Sequence, residues 1–210
     1  MILSILVVIT FAYCNNQDNK ANDYNKLSQS SDSSTKTYQD SLTQLEQQSA
    51  YKSDDSLGEI ISTILFNVKT HNLADYNDGK IPWIRIDSPQ IDIKNLISKD
   101  EVVIPPNKIT IIIDYPLSIN YEFELTSSIG FTRAQLITEI SKHYHKLYDE
   151  EEKTATIKTL PLEQRKVYNR NTTNGKYGIW GHDIGDLVLD DIIVHKTSDS
   201  KLLLTLEIDS

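Results

Sequence analysis

Residues 108–148 read KITIIIDYPLSINYEFELTSSIGFTRAQLITEISKHYHKLY and contain the clearest structural signals in the chain. Lys108–Tyr115 is rich in β-branched isoleucine, which favours a strand with apolar side chains on both faces at its centre. Tyr121–Thr126 alternates apolar with polar residues, as a strand with one buried face does. The short Pro116–Asn120 link between these two segments predicts a β-hairpin.

A helix follows this hairpin, and its start is marked by a capping box. Thr132 has Gln135 three positions later, and Phe131 stands where it can pack against Leu136 as a hydrophobic staple. The helix is expected to continue to about Lys153. Its apolar residues recur at helical spacing and predict one buried stripe, made of Leu136, Ile137, Ile140, Tyr144, Leu147 and Tyr148.

The elements on either side of this region complete one domain over residues 57–210. Asp186–Lys196 and Lys201–Asp209 predict a second hairpin, and Pro82–Asp87 a short strand. Apolar residues at helical spacing over Leu57–His71 predict an amphipathic helix. No repeated β-α-β pattern is present. The expected fold is therefore α+β, with a mainly antiparallel sheet of hairpins covered on one face by two helices.

Residues 14–56 differ in composition from this domain. Nine serines fall between Ser28 and Ser56, and large apolar side chains are few. Such a segment cannot bury enough apolar surface to offset about 1–2 kcal/mol of backbone ordering per residue. We therefore expect a disordered polar tether, with at most a weak helix over Thr37–Tyr51.

Charge and cysteine content exclude several classes of function. The chain of 210 residues has 30 acidic and 21 basic residues, a net charge of −9, and no basic run. This balance argues against a nucleic-acid partner. Cys14 is the single cysteine, so the domain has no disulfide, thiolate nucleophile or cysteine metal site.

The first thirteen residues, MILSILVVITFAY, are apolar but too few to cross the roughly 30 Å hydrocarbon core of a bilayer. Their length is typical of a signal peptide over residues 1–13. With Cys14 directly after it, this segment resembles a bacterial lipoprotein leader. That resemblance implies lipidation of Cys14, a membrane contact through the lipid and a location at the cell envelope. Phe11 and Tyr13 depart from the pattern. A cut after Ala12 is the alternative and would release a soluble secreted or periplasmic protein.

One loop concentrates residue types that bind ligands. Residues 168–186 hold four of the seven glycines, and long loops are disproportionately functional. One interpretation is a pocket with stacking aromatic side chains, an anion clamp and an acid–base pair of His182 with Asp183 or Asp186. The alternative is a structural loop in which glycines supply positive φ, the tryptophan plugs the end of the sheet and the arginine pairs with an aspartate. The candidate binding residues are Arg170, Tyr177, Trp180, His182, Asp183 and Asp186.

Neither a metal site nor a cofactor site is indicated. His143 and His145 are two positions apart on a helix, about 200° around its axis, so both cannot face one ion. His195 is expected at a strand end and exposed. The glycine spacing of the loop matches neither a P-loop nor a dinucleotide fingerprint.

The segments Tyr177–Asp183, Asp114–Pro116 and Gly130–Arg133 resemble those of an uncharacterised domain family, over about residues 108–210. The resemblance implies one recurring domain and no activity. Two hypotheses follow from the sequence. The first is a non-catalytic envelope lipoprotein that binds an unknown protein or small-molecule ligand through residues 168–186. The second is a hydrolase that uses His182 and an aspartate.

Overall fold

The computed structural model describes residues 18–50, 57–105 and 107–210, and it has an α+β fold with a mainly antiparallel sheet. The predicted signal peptide and Cys14 lie outside these residues. The helices are α1 (Asp18–Ala50), α2 (Gln90–Ile93) and α3 (Arg133–Thr154). The strands are β1 (Glu59–Leu65), β2 (Val68–Lys69), β3 (Lys80–Ile81), β4 (Ile84–Arg85), β5 (Val102–Ile104), β6 (Asn107–Ile113), β7 (Tyr121–Ser127), β8 (Phe131–Thr132), β9 (Val188–Lys196) and β10 (Leu202–Asp209).

The main sheet has the strand order β1-β9-β10-β6-β7, and β4 also pairs with β9. Both predicted hairpins are present, because β6 pairs with β7 and β9 with β10 in antiparallel register. One pairing is parallel: β10 lies beside β6, with Leu204 opposite Ile111. This contact joins the two hairpins into one sheet.

Helix α3 packs on one face of the sheet, as its sequence predicted. The capping box is formed, since Thr132 accepts from the backbone N–H of Gln135 and the Gln135 side chain accepts from the backbone of Thr132. The fully buried Tyr144 donates from its hydroxyl to the carbonyl of Tyr115 at 2.9 Å. The expected stripe is buried, and it comprises Leu136, Ile137, Ile140, Tyr144, Leu147 and Tyr148.

The helix predicted over Leu57–His71 is wrong, because this segment forms β1 and β2. Strand β1 pairs with β9 and places Ile64 opposite Ile192. The apolar residues expected to form the buried face of that helix are not all buried, since Ile60 is 59% and Ile61 is 47% exposed. The isoleucines fit a strand as well as a helix, and backbone pairing with a distant strand decides between the two.

Helix α1 occupies residues that sequence analysis assigned to the disordered tether. Contacts divide the chain within this helix, so that one unit ends at Ser41 and the second comprises Leu42–Ser210. In the first unit, Thr37 Oγ1 donates to the carbonyl of Ser33. In the second unit, Leu42 is only 6% exposed, so the compact domain begins before Leu57. No described helix is long and apolar enough to cross a membrane.

Candidate functional site

The loop from residue 155 to 186 is held by a buried carboxylate at the end of α3. Glu151 Oε1 accepts hydrogen bonds from Thr173 Oγ1 at 2.6 Å and from the Gly175 N–H at 2.7 Å. Its Oε2 accepts from the N–H groups of Tyr177 at 2.8 Å and Gly178 at 3.2 Å. Burial raises the pKa of Glu151, but these hydrogen bonds outweigh burial and hold the pKa below its ordinary value. The side chain is therefore a charged anchor for the loop.

Two glycines make this anchor possible, for different reasons. A Cβ atom at Gly175 would lie 2.7 Å from Glu151 Cδ, so only glycine lets the backbone approach the carboxylate. Gly178 has a φ of +64°, which residues with L side chains rarely adopt.

Glu150, the neighbour of Glu151, also contacts the loop. It accepts hydrogen bonds from the Tyr177 hydroxyl at 2.5 Å and from Lys176 Nζ at 2.8 Å. Glu150 and Glu151, two adjacent acids near the end of α3, thus position the loop.

Arg170 belongs to an internal ion-pair cluster. Arg165 binds the Asp183 carboxylate with two hydrogen bonds of 2.6 and 3.2 Å, and Arg170 Nη1 lies 3.4 Å from the same carboxylate. The Arg170 guanidinium also lies 5.2 Å from the centre of the Tyr148 ring. Burial raises the pKa of Asp183, but the two arginines outweigh it and lower the pKa. At 6% exposure, Arg170 matches the structural alternative, in which it pairs with an aspartate.

Trp180 and Tyr177 are buried core residues of the loop. Trp180 is 2% exposed, and its ring packs edge-on against Tyr115 with the ring centres 5.1 Å apart. Tyr177 is 3% exposed and packs edge-on against Tyr121 at 5.5 Å. Neither ring presents an open face on which a ligand could stack. Their burial stabilises the loop against the sheet.

His182 does not pair with Asp183 or Asp186, so the predicted acid–base pair is not formed. Arg165 holds the carboxylate of Asp183, and Asp186 accepts from the Asp183 N–H in the capping box of a short 3-10 helix. The partner of His182 is Glu46 on α1, whose Oε1 lies 2.8 Å from His182 Nε2. This partner comes from the segment that sequence analysis placed in the tether.

The Glu46 carboxylate also accepts a hydrogen bond of 3.0 Å from the Tyr115 hydroxyl, which lies 2.9 Å from Ser210 Oγ. Burial, reinforced by the nearby Glu46 carboxylate, raises the pKa of Tyr115, so the phenol keeps its proton. Ser210 Oγ is 3.5 Å from His182 Nε2, the ring nitrogen that already faces Glu46. A serine–histidine–acid triad needs the hydroxyl and the carboxylate on different ring nitrogens. This cluster therefore lacks the geometry of a triad.

A cleft of about 1020 Å³ opens beside this cluster, on the sheet face away from α3. His182 and Glu46 lie at one side of it. Apolar side chains form part of its wall, namely Ile60, Ile112, Ile193 and Ile208. Polar groups form the rest, including Asp114, His195, Thr205, Glu207 and Asp209. Its volume lies at the upper limit of the range found for small-molecule binding sites.

His195 was expected to be exposed, and this prediction is wrong. Its side chain points to the cleft face in the middle of the sheet, and the residue is 6% exposed. His195 Nε2 lies 3.0 Å from Thr205 Oγ1 on the neighbouring strand. Nδ1 is buried and has no hydrogen-bond partner among the described residues. Most buried polar atoms have a hydrogen-bond partner, so this nitrogen has capacity for one further hydrogen bond.

Carboxylates crowd the start of β9 and the end of β10 beside the cleft, and their pKa values are raised. Burial and the carboxylates of Asp209, Asp191 and Glu207 raise the pKa of Asp190 to about 6. Burial raises the pKa of Asp191, and burial with the Asp191 and Asp114 carboxylates raises that of Glu207. Within the described ranges, no three His, Cys, Asp or Glu residues are placed to hold one metal ion.

Of the six candidate binding residues, only His182 lines the cleft. Glu46, Tyr115 and His195 were missed, because no local pattern reveals which distant segment meets them. Thr205 and Glu207 could have been found, since they alternate with the buried leucines of β10 and must face away from α3. Comparison of the chain with known protein families, curated proteins and solved structures finds no match.

Proposed function

We propose that this chain is an exported bacterial lipoprotein, held at the cell envelope by lipid on Cys14, whose folded domain binds a ligand and catalyses no reaction. The cleft of about 1020 Å³ on the open face of the sheet carries the proposal for the domain. The apolar leader and the position of Cys14 support the anchor. Helix α1 and the preceding residues would then connect the anchor to the domain.

The anchor is tested by labelling with a fatty-acid analogue in a bacterial host. Wild-type protein should incorporate the label, and the Cys14→Ala variant should not. A label that persists on the variant would refute lipidation at Cys14. Unlabelled wild-type protein cut after Ala12 would favour the soluble secreted form instead.

Three features of the cleft support binding: its volume, its apolar side chains, and a polar atom that has no hydrogen-bond partner within the described residues. A typical small-molecule pocket has about 300–1,000 Å³ and a few polar groups that orient the ligand. Here the buried His195 Nδ1 has no partner in the described part of the chain, and four isoleucines supply apolar surface. The ligand would lie along the sheet, with the His182–Glu46 pair beside one end.

The hydrolase alternative has less support from the geometry. His182 Nε2 faces both Glu46 and Ser210, so the histidine cannot take a proton from the hydroxyl while the acid orients its other nitrogen. Asp183, the other candidate acid, is bound by Arg165. A binding role requires only that the hydrogen-bonded side chains of His182 and Glu46 keep their positions in the lining of the cleft.

Native mass spectrometry tests the binding role directly. Full-length protein is incubated with a bacterial metabolite extract and exchanged into volatile buffer. Wild-type protein and an Ile129→Trp control, changed at a site 74% exposed, should retain an added mass. Ile193→Trp, which fills the cleft, should lose that mass while keeping the circular dichroism of the folded protein. No added mass, or equal retention by Ile193→Trp, would contradict a binding role for the cleft.

A further inference from the structure

The open face of the sheet carries a row of acidic side chains across three adjacent chain segments. Glu207 on β10 lies directly opposite Asp191 on β9. Strands β10 and β6 run parallel with Leu204 opposite Ile111, so Glu207 falls beside Asp114, three positions further along each segment. Like charges placed directly opposite each other destabilise a sheet. The row therefore costs stability that an internal structural role would not explain.

Four acids in or beside this row have no basic partner among the described residues. In residues 18–50, 57–105 and 107–210, no Lys or Arg forms an ion pair with Asp190, Asp191, Glu207 or Asp209. One oxygen of Asp190 and one of Asp191 are buried with no hydrogen-bond partner there. Two carboxylate oxygens without donors next to further carboxylates form a site of strong negative potential.

His195 supplies a second observation that points to a ligand. The residue is more than nine-tenths buried, lines the cleft and has no partner on Nδ1 among the described residues. When Nε2 carries the proton and donates to Thr205, Nδ1 presents a lone pair. A lone pair accepts a hydrogen bond, so this nitrogen and the carboxylates all require a donor from the ligand.

We propose that the cleft binds an organic cation with two or more ammonium groups joined by methylene segments; this inference rests on the binding role proposed above. The ammonium groups donate to the carboxylates of Glu207 and Asp209, which line the cleft. The methylene segments pack on the cleft isoleucines, including Ile112 and Ile193. His195 Nδ1 accepts one of the remaining N–H groups.

The chemistry of the cleft favours an organic cation over a metal ion. The cleft volume of about 1020 Å³ is far larger than a single ion needs. No cluster of three possible metal ligands is present in the part of the chain that the structure describes. Apolar side chains share the wall with the acids, and they stabilise methylene groups but contribute nothing to a hydrated ion. An anionic ligand would meet the carboxylates at close range.

The test is isothermal titration calorimetry of the full-length protein with spermidine at near-neutral pH and low ionic strength. Wild-type protein should bind spermidine with one-to-one stoichiometry. Glu207→Gln combined with Asp209→Asn removes two cleft carboxylates, and each lost charge pair weakens binding, so affinity should fall about tenfold or more. The matched control, Asp149→Asn with Glu152→Gln on the exposed side of α3, removes the same charge and should stay within about twofold of wild type.

Four results would overturn the inference. Equal affinity in the two double variants would show diffuse attraction to a protein of net charge −9. Displacement of spermidine by calcium that depends on Glu207 and Asp209 would identify a metal site instead. A further outcome is a spermidine titration that gives no heat while wild-type protein, but not Ile193→Trp, retains a metabolite mass. That combination would refute a cationic ligand and leave the binding role standing. If neither spermidine heat nor a retained metabolite mass is observed, both the binding role and the cationic ligand are refuted.

Discussion

The buried carboxylate of Glu151 provides the sharpest test of how this domain holds its long loop. All four hydrogen bonds to the Glu151 carboxylate come from residues 173–178, and the residue is fully buried. In a Glu151→Gln variant the amide oxygen can still accept from two donors. The amide NH2 group would then point at two N–H donors that no longer have an acceptor.

The expected cost follows from these contacts. Hydrogen bonds to a charged group contribute about 1.5–3 kcal/mol each, and a buried donor without a partner costs about 1–3 kcal/mol. Removing the charge also removes part of its burial cost, so the free energy of unfolding should fall by about 3–4 kcal/mol. A domain of this size is stable by about 5–15 kcal/mol. Glu151→Gln should therefore fold but unfold at a much lower urea concentration.

Urea unfolding, followed by circular dichroism and tryptophan fluorescence, measures this loss. With a slope of roughly 2 kcal/mol per molar urea, the midpoint should fall by about 1.5–2 M. The control is Glu152→Gln, the same substitution one residue later at an exposed position, which should change stability by less than about 0.5 kcal/mol. A Glu151→Gln midpoint close to that of Glu152→Gln would refute the assigned role of this carboxylate.

The same residue predicts a pH dependence. Because the folded-state pKa of Glu151 lies below its ordinary value of 4.5, its contribution is present above that pH and is lost as the pH falls through the folded-state pKa. The stability difference between wild type and Glu151→Gln should therefore shrink as the pH falls below about 4.5. A difference that stays constant down to pH 3 would contradict a charged Glu151 in the folded protein.

Three other substitutions test neighbouring features. Asp190→Asn should stabilise the protein near neutral pH, since the raised folded-state pKa of about 6 means that ionised Asp190 opposes folding. The full shift corresponds to about 3 kcal/mol, and solvent screening reduces it to about 1–2 kcal/mol. In urea titrations the gain should disappear as the pH falls below about 4, and no gain at pH 7 would contradict the crowding of carboxylates. Trp180→Ala should cost about 3–5 kcal/mol, measured by thermal unfolding, because the side chain is 2% exposed; a loss under 1 kcal/mol would mean that the ring does not plug the sheet. Gly175→Ala should lower stability by about 2 kcal/mol or more, because the added Cβ would clash with Glu151, whereas Gly185→Ala, with open space around it, serves as the control.

Local sequence signals were sufficient for the elements whose partners are close in the chain. The capping box at Thr132 and the stripe of α3 are satisfied within a few residues, and both hairpins pair across short links. Alternation and capping depend on neighbouring residues, so they can be read without the fold. They determined the α+β class and most of the core of the domain.

Tertiary structure alone decided the rest. Residues 59–65 became a strand because β9 offered backbone partners, although their spacing also fits a helix. Glu46 met His182 across 136 residues of sequence, and the burial of His195 depends on strands on both sides of it. The parallel contact of β10 with β6 placed Glu207 beside Asp114 and so built the acidic face of the cleft. Pairing between distant segments depends on the whole set of competing contacts, and for that reason the candidate site emerged only from the folded chain.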